Sequence, residues 1–359
     1  PSDKIFDKQQ ELDQLREQND NEVFNTLALA KNHLWLGDLK VTSLMLACRY
    51  GNLQAVEFLL NDGADPTVFV KAGKDAISPL SMACEEGHLE IVQKLIDANA
   101  NADEFWDDKA RNPQNDQRTP IMLAAENGHE QVVKLLIDCG ATVNAHREKR
   151  TVLMMACQYG YANCTEHLLA AKADIEAKND ADETALMFGT RYGHNAAALI
   201  LLENGIDVQS ECTKPKGMWT SLHRATANGH TTTTRLLLDA CPKLIDVADP
   251  NGTTPLMAAA VSGHASTVLA LLDHGADMTK ESKENQNAVW LAASNGHVQA
   301  LKMLLGAVKN HPDRTKILNC LAYAKTSIFQ QQYTPLMRAT VSGHAEVVTA
   351  LLLAKANPL

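Results

Sequence analysis

Aromatic side chains, cysteine motifs and long apolar runs are all scarce in this sequence. Phe, Trp and Tyr make up only 5% of the 359 residues, so Leu, Ala and Val must do most of the packing. The eight cysteines show no C-x-x-C spacing and no framework of short loops, which predicts reduced, mostly buried thiols of a cytosolic protein. No apolar run approaches the roughly 18 residues of a membrane span, and no signal peptide opens the chain. We therefore expect a cytoplasmic protein without a membrane span.

A basic excess is also absent. The formal net charge is -10, and residues 1–140 carry 24 acidic and 13 basic side chains, whereas the remainder carries 19 and 20. Contact with a phosphate backbone needs clustered Lys and Arg, so this balance argues against a nucleic-acid partner. The length fits either two or three ordinary domains or one extended array.

One sequence pattern recurs along most of the chain. Its clearest copy, residues 254–277, reads Thr-Pro-Leu-Met-x-Ala-x-x-x-Gly-His, then an apolar run ending in Leu-Leu, then Gly-Ala-Asp. The anchor position of each copy, in order, is Leu44, Leu80, Ile121, Leu153, Leu186, Leu222, Leu256, Val289 and Leu336. Successive anchors are 32 to 36 residues apart, except for two longer intervals of 41 and 47.

Each recurrent position has a physical role in a pair of helices. A Thr or Ser before Pro supplies a side-chain oxygen that caps a helix, and Pro suits the first helical position. A glycine stands seven residues after every anchor, where a sharp turn between two helices needs a left-handed residue. These glycines are Gly51, Gly87, Gly128, Gly160, Gly193, Gly229, Gly263, Gly296 and Gly343.

Apolar residues at three- and four-residue spacing predict a second helix in each copy, and Gly-Ala-Asp begins a hairpin finger. A pattern with this period and these fixed positions resembles the ankyrin repeat family. The resemblance implies an all-α solenoid of helix-turn-helix units with hairpin fingers, in which neighbouring copies bury a continuous core. Nine copies cover residues 41–359, with a long finger at 102–118 and an insertion at 306–333.

The two ends of the chain depart from the regular pattern. Residues 1–40 carry apolar side chains at helical spacing and form either an N-terminal helical cap or a degenerate copy. At the other end, residues 347–353 are as apolar as an internal copy, although terminal copies usually need a polar outer face. We therefore expect the natural protein to continue beyond Leu359.

Seven histidines follow turn glycines, one in each of seven copies, which places them too far apart for two to share a zinc ion. We predict that a ring nitrogen of each bonds the neighbouring turn. They are His88, His129, His194, His230, His264, His297 and His344. Cys164 and His167 have the spacing of two metal ligands, but no second pair accompanies them, so core packing is favoured. We expect no metal and no cofactor.

Methionine follows the anchor in six copies, where ankyrin repeats usually carry His. Helical spacing at a buried position favours core packing over a methionine-lined binding groove. The six are Met45, Met122, Met154, Met187, Met257 and Met337.

The sequence offers no catalytic centre. Cys48, Cys84 and Cys157 replace a small residue of the first helix, and a nucleophilic Cys would need an oriented His and an electropositive pocket. The acidic pairs at 107–108 and 182–183 fall in fingers, where solvated turns are the default. We predict that these residues do not form an enzyme.

In ankyrin-like proteins a partner binds a concave surface made from the first helices and the finger tips. Tyr and Arg are enriched at binding hot spots, and both occur at these positions in copies four to six, where we place the central contact. The positions predicted to bind are Tyr50, Met155, Tyr159, Phe188, Arg191, Tyr192, Trp219 and Arg224. Trp219 has an alternative role as a cover for its hairpin.

A second, acidic contact is predicted nearer the N-terminus. Glu85 and Glu86 lie at first-helix positions, and acidic residues surround Phe105 and Trp106 in the long finger. A basic segment of the partner would be steered to this region, although Glu85 and Glu86 are equally interpreted as a solvated surface.

The sequence therefore predicts a monomeric interaction module that recognises a partner protein or peptide. The alternative is the targeting segment of a larger enzyme or secreted bacterial effector, acting in the host cytosol, whose activity lies outside this chain. The repeats are loosely similar to those of bacterial effectors and equally to those of many eukaryotic proteins. The sequence does not identify the partner.

Overall fold

The computed structural model of the protein describes residues 34–36, 39–72, 75–103, 118–147, 149–208, 219–323 and 332–357. This part of the chain is mostly helical, which confirms the predicted all-α class. It divides into two compact units, one of residues 1–152 with 170–173 and one of residues 153–169 with 174–359.

Three helix pairs make up the described part of the first unit. They are α1 (Ser43–Arg49), α2 (Leu53–Asn61), α3 (Pro79–Glu86), α4 (Leu89–Asp97), α5 (Pro120–Asn127) and α6 (Glu130–Asp138). The first helices of successive copies, α1, α3 and α5, pack in a row, and α4 packs on both α2 and α6. The antiparallel hairpins are β1 (Leu34–Leu36) with β2 (Leu39–Val41), β3 (Val70–Ala72) with β4 (Asp75–Ile77), and β5 (His146–Arg147) with β6 (Arg150–Thr151).

Six helix pairs follow in the second unit, the first of which begins at the boundary residue Val152. They are α7 (Val152–Tyr159), α8 (Ala162–Ala170), α9 (Ala185–Tyr192), α10 (Asn195–Glu203), α11 (Ser221–Ala227), α12 (Thr231–Ala240), α13 (Pro255–Ser262), α14 (Ala265–Asp273), α15 (Ala288–Ser294), α16 (Val298–Val308), α18 (Pro335–Val341) and α19 (Ala345–Leu353). A short helix α17 (Arg314–Leu318) and the hairpin β7 (Ala322–Tyr323) with β8 (Gln332–Tyr333) lie between α16 and α18. The first helices α9, α11, α13, α15 and α18 pack in one row.

Helix starts follow the predicted capping chemistry in most copies. The Thr254 hydroxyl accepts the Met257 amide at 3.3 Å, and Ser78 and Ser81 form a reciprocal capping box. Thr119 and Thr184 are exceptions, because the hydroxyl of each is buried and has no hydrogen-bond partner among the residues that the structure describes. The residue before each of these two helices has an extended backbone, and the first of the two helices begins with Pro120.

All nine predicted turn glycines have a left-handed backbone, with φ between +71° and +80°. At Gly229 a second constraint adds to the first, since a Cβ there would lie 2.6 Å from Nδ1 of His264. Glycine is therefore needed both for the turn and for the close approach of the next copy.

The seven histidines bond the preceding turn, as predicted. In each case Nε2–H donates to a backbone carbonyl of the copy before it: His88 to Arg49 (3.1 Å), His129 to Glu85 (2.9 Å), His194 to Gln158 (2.9 Å), His230 to Arg191 (3.0 Å), His264 to Ala227 (3.0 Å), His297 to Val261 (2.8 Å) and His344 to Ser294 (3.2 Å). These bonds tie consecutive copies together at the ends of their first helices.

Small and sulfur-containing side chains fill the core of both units. Five of the six methionines after the anchor are buried, which confirms the packing interpretation, but Met337 in the last copy is 37% exposed. Cys48, Cys84 and Cys157 are fully buried, and burial raises the pKa of the Cys157 thiol to about 12. A thiol held protonated in this way is a packing residue, not a nucleophile.

The irregular regions differ from their sequence-based predictions in detail. At the end of the region predicted as a helical cap or a degenerate copy, residues 34–36 and 39–41 form a hairpin, and residues 1–33 lie outside the described part of the chain. The insertion at 306–333 begins as a continuation of α16 to Val308, followed by α17 and a hairpin. Most of the long finger, residues 104–117, also lies outside the described residues.

Candidate functional site

Two tyrosines project from the row of first helices in the second unit. Tyr159 and Tyr192 each end a first helix just before the turn glycine, and they are 46% and 48% exposed. Tyr159 lies 6.3 Å from Tyr161 and Tyr192 lies 6.2 Å from His194, measured between ring centroids. Each phenol ring thus lies beside a neighbouring ring and is about half exposed.

Met155 and Phe188, four residues before these tyrosines, were predicted to contact a partner. That prediction is wrong for their side chains, because Met155 is 2% exposed and Phe188 is 6% exposed. Both belong to the core beneath the surface. Spacing of four residues puts them on the same helix face as the tyrosines, but the packing of neighbouring copies covers the earlier turn.

A buried carboxylate organises the two predicted arginines. Glu183 Oε1 accepts Nη2 of Arg191 at 3.1 Å and also accepts Nη2 of Arg224, while Oε2 accepts the Asn179 amide at 3.0 Å. The Glu183 side chain is 11% exposed, so these are charge-assisted bonds in a largely dry setting. The interpretation of Glu183 as part of a solvated acidic turn is therefore wrong.

The two arginines have more positive charge than Glu183 can neutralise. Their side chains are 33% and 17% exposed for Arg191 and Arg224. The Nε atom of Arg224 is buried and has no hydrogen-bond partner in the described part of the chain. A pair of guanidinium groups sharing one carboxylate leaves a net charge of about +1 at this point of the surface.

A repeated finger geometry holds Glu183 in place. Asn179 Oδ1 accepts the amides of Ala181 and Glu183, both at 2.9 Å, and Asp249 Oδ1 accepts those of Asn251 and Thr253, both at 2.8 Å. In both loops the fifth residue directly precedes the helix cap. The residue type at that fifth position differs in charge and size from copy to copy. A comparison of this position across the copies would therefore have singled out Glu183 from the sequence.

Trp219 makes internal contacts and is also partly exposed. Its indole is stacked on His223 at a centroid distance of 6.1 Å and donates from Nε1 to Asp249 Oδ2 at 3.3 Å. It nonetheless remains 38% exposed. The ring therefore packs on the helix that follows it and on the next finger, whereas the hairpin that it was predicted to cover, residues 209–218, lies outside the described residues.

A groove of about 450 Å³ runs along the first helices of copies six to nine, a region outside the predicted central contact. The larger apolar residues that line it are Trp219, Val261, Trp290 and Leu291. Arg338 also lines it, held by a 3.2 Å bond from Nε to Ser294 Oγ. The lining combines these apolar side chains with polar and charged ones, among them Asp249, Lys283 and Glu284.

The acidic positions of the first unit are partly neutralised. Tyr50 is 47% exposed, and Glu85 and Glu86 are exposed at the end of α3. However, Glu86 lies 3.8 Å from Arg49, and the neighbouring first-helix residue Glu126 lies 3.5 Å from Arg118.

The acidic finger is also partly occupied by internal contacts. Both carboxylate oxygens of Asp103 bond Thr142, to its amide and its hydroxyl, at 2.6 Å each. Trp106, predicted to be a contact at the tip, lies outside the described residues.

Neither a metal centre nor a membrane helix is found in the described ranges. No group of three or more His, Cys, Asp or Glu side chains is arranged to hold a metal ion there. None of the described helices combines the length and the apolar character that crossing a bilayer requires.

The fold and the surfaces above define a helical repeat protein that presents variable side chains from a constant framework. The family model for ankyrin repeats (three copies) matches residues 44–147, 80–179, 143–212, 209–282 and 277–358. The chain therefore belongs to the ankyrin repeat family, whose repeats are protein-interaction modules.

Relatives share the repeats over part of their length. An ankyrin repeat and KH domain-containing protein of Caenorhabditis briggsae is 30% identical over 173 residues, 47% of this chain and 6% of that protein. Ankyrin repeat protein nuc-2 of Neurospora crassa is 28% identical over 160 residues, 44% of this chain and 15% of that protein. The chain thus spans a small part of these curated relatives. The crystal structure of the human ASB11 ankyrin repeat domain shares the fold, with a TM-score of 0.53, 21% identity, and coverage of 79% of this chain and 100% of that one.

Proposed function

We propose that the second unit binds a partner protein through a tyrosine–arginine surface formed by Tyr159, Tyr192, Arg191, Arg224 and Trp219. The observation that carries the proposal is the pairing of two half-exposed tyrosines with arginines fixed by the buried Glu183. Aromatic and Arg side chains contribute most to binding when they are held rigid before the partner arrives.

The energetic argument favours these side chains over the rest of the exposed surface. A tyrosine loses little conformational entropy on binding, because its ring has few rotatable bonds and here already contacts a neighbouring ring. The guanidinium of Arg191 is oriented by Glu183, so a partner need not order it. Tyrosine and arginine side chains that become buried together are typical of the centre of an interface.

The first unit supports a second and weaker contact with a basic segment. Glu85 and Glu86 are exposed there, beside the aromatic ring of Tyr50. Because Glu86 and Glu126 already face arginines, we propose that this region steers a basic partner instead of anchoring it. Such steering acts on the association rate and weakens as salt rises.

The test for the proposed function is capture and quantification of a partner by the chain and its double variant Tyr159→Ala/Tyr192→Ala. Proteins retained by the wild-type chain are identified by mass spectrometry, and Kd is then measured with the purified partner. We expect at least a tenfold increase in Kd, about 1.4 kcal/mol or more, for the double variant.

The matched control removes two equally exposed side chains from the second helices of the same unit. Leu199 and Leu269 are 41% and 44% exposed, and Leu199→Ala/Leu269→Ala should leave Kd within about twofold. If the two double variants bind with the same Kd as the wild-type chain, the tyrosine–arginine surface is not the binding site.

A further inference from the structure

The first helices of the second unit carry charge of a single sign. The segments α7, α9, α11, α13, α15 and α18 contain no Asp or Glu, and their charged residues, His223 aside, are Arg191, Arg224 and Arg338. All three arginines reach the surface on which the tyrosines and the groove also lie. The row of helices therefore presents a positive strip although the whole chain has a net charge of -10.

Two carboxylates that the described finger residues bring close to this strip, Glu183 and Asp249, are already engaged. Glu183 accepts three side-chain donors, and Asp249 accepts two backbone amides and the Trp219 indole. Asp249 is 6% exposed and Glu183 is 8% exposed, so neither presents negative charge to a partner. Glu284 also lines the groove, and the neighbouring Lys283 carries the opposite charge.

Arg338 is the charged group best placed to meet a ligand in the groove. Its Nε atom is fixed on Ser294, and in the described residues no carboxylate lies within ion-pair distance of its guanidinium. An arginine oriented in this way presents its two terminal nitrogens as a fork that matches a carboxylate. The apolar side chains of Val261, Trp219 and Leu291 also line the groove and exclude part of the surrounding water, which strengthens such a pair.

We propose that the second unit selects an extended, acidic peptide segment of its partner, with one carboxylate on Arg338 and another on the Arg191–Arg224 pair. This inference rests on the proposed function and specifies the partner's chemistry. Helices packed in a row lie about 8–10 Å apart, so α11 and α18, three steps apart, are separated by roughly 27 Å. An extended chain of about eight residues spans that distance.

An apolar residue between the two acidic positions would enter the groove of copies six to nine. The groove volume of about 450 Å³ is large enough for one or two aliphatic side chains. A basic peptide is disfavoured by the same strip, because a second cation beside Arg338 or Arg224 meets a like charge.

The test uses three synthetic peptide mixtures of twelve residues with a fluorescein label. Alternate positions hold an equal mixture of Leu, Val, Phe and Tyr, and the remaining positions are all Glu, all Gln or all Lys. Fluorescence anisotropy is measured with the purified full chain at 50 mM and 200 mM NaCl, and a labelled oligo-uridine of twelve nucleotides is the fourth probe. We expect the Glu mixture to bind at least tenfold more tightly than the Lys mixture, and this preference to decrease at the higher salt concentration.

Matched charge variants localise the effect. Arg338→Gln should weaken binding of the Glu mixture about tenfold and leave binding of the Gln mixture unchanged. Arg235→Gln, on a second helix, should change the binding of neither mixture. Arg235→Gln is a suitable control because it removes the same charge as Arg338→Gln. Arg235 forms an exposed ion pair with Asp273, and both residues lie on second helices of the unit.

Each remaining outcome overturns the inference. Equal binding of the Glu and Lys mixtures, with loss of both in Tyr159→Ala/Tyr192→Ala, would leave the proposed function intact and refute acidic selection. Acidic selection would also be refuted if none of the peptide mixtures binds, or if oligo-uridine binds more tightly than the Glu mixture. An equal effect of Arg338→Gln and Arg235→Gln would mean that net charge, not the groove, controls binding.

Discussion

The two units share a framework and differ in the surface that it carries. Both have left-handed glycines and histidine-to-carbonyl bonds at the turns, and both have cores of small and sulfur-containing side chains. Yet the first helices of the first unit carry three Glu and one Arg, whereas those of the second carry three Arg and no acidic residue. Positions that face a neighbouring copy are constrained by packing, and positions before the turn are free to specify a partner.

The largest loss of stability is expected when a turn glycine of the shared framework is replaced. Gly229→Ala adds a Cβ 2.6 Å from the His264 ring at a backbone φ of +75°, so we expect a loss of about 3 kcal/mol of unfolding free energy from strain and overlap. Gly205 also has a positive φ, +83°, but a Cβ there meets nothing within 4 Å. Gly205→Ala should therefore cost only about 1 kcal/mol.

Urea unfolding of the two variants measures this difference. The first unit offers the same pair, because a Cβ on Gly51 would lie 2.6 Å from the His88 ring and one on Gly63 would meet nothing within 4 Å. If Gly51→Ala and Gly63→Ala are equally destabilising, the histidine contact does not contribute and the two units do not share this constraint.

A loss of stability of intermediate size is expected when an ion-paired carboxylate is removed, and it should differ between the two units. Glu183→Ala leaves two arginines without their carboxylate in a mostly buried setting, and we expect a loss of about 2 kcal/mol. In the first unit, Glu86 and Arg49 are 42% and 46% exposed and 3.8 Å apart, so Glu86→Ala should cost about 0–0.5 kcal/mol.

Thermal and urea unfolding of both variants, with Glu183→Gln as the isosteric control, test this contrast. The Gln variant keeps an acceptor for Arg191 and should fall between the wild-type chain and Glu183→Ala. Equal losses for Glu183→Ala and Glu86→Ala would show that burial does not distinguish the two clusters.

The smallest effect is a pH dependence confined to the second unit. His223 is buried, and burial lowers its pKa below the usual 6.5, against opposing contributions from its bond to Thr253 and the charge of Asp249. The unfolded chain then binds the proton more tightly than the folded chain. The contribution of His223 to stability is present above pH 6.5 and is lost as pH falls through its folded pKa.

His223→Met supplies the residue that most other copies have at this position, and unfolding free energies at pH 7.5 and 5.5 give the comparison. We expect a smaller decrease in stability on acidification for the variant than for the wild-type chain. In the first unit the corresponding residues are Met45, Ser81 and Met122, none of which titrates in this range. An unchanged pH slope in His223→Met would contradict the assignment.

The periodic part of the fold was predictable from sequence because its determinants are local. A glycine seven residues after each anchor requires a turn, and the histidine after it has one carbonyl within reach in the preceding copy. The tyrosines were predictable for the same reason, since the residue before the turn projects away from the helix partner.

The remaining features depend on how copies pack, which spacing along one helix does not determine. Phe188 is covered although it lies on the helix face of Tyr192. Glu183 is buried because a finger loop folds it against arginines eight and 41 positions away. The groove beside Arg338 is formed by four copies together. Each of these features requires tertiary contacts between residues that no single repeat contains.

The bond from each turn histidine to a carbonyl has a consequence for the alignment of neighbouring copies. Nε2 must carry hydrogen to donate to an oxygen acceptor, so the bond fixes which ring nitrogen faces the preceding copy. Each bond joins the start of one second helix to the end of the first helix in the copy before it. A sliding displacement between two neighbouring copies would therefore break a directional bond as well as apolar contacts, which favours one alignment over its alternatives.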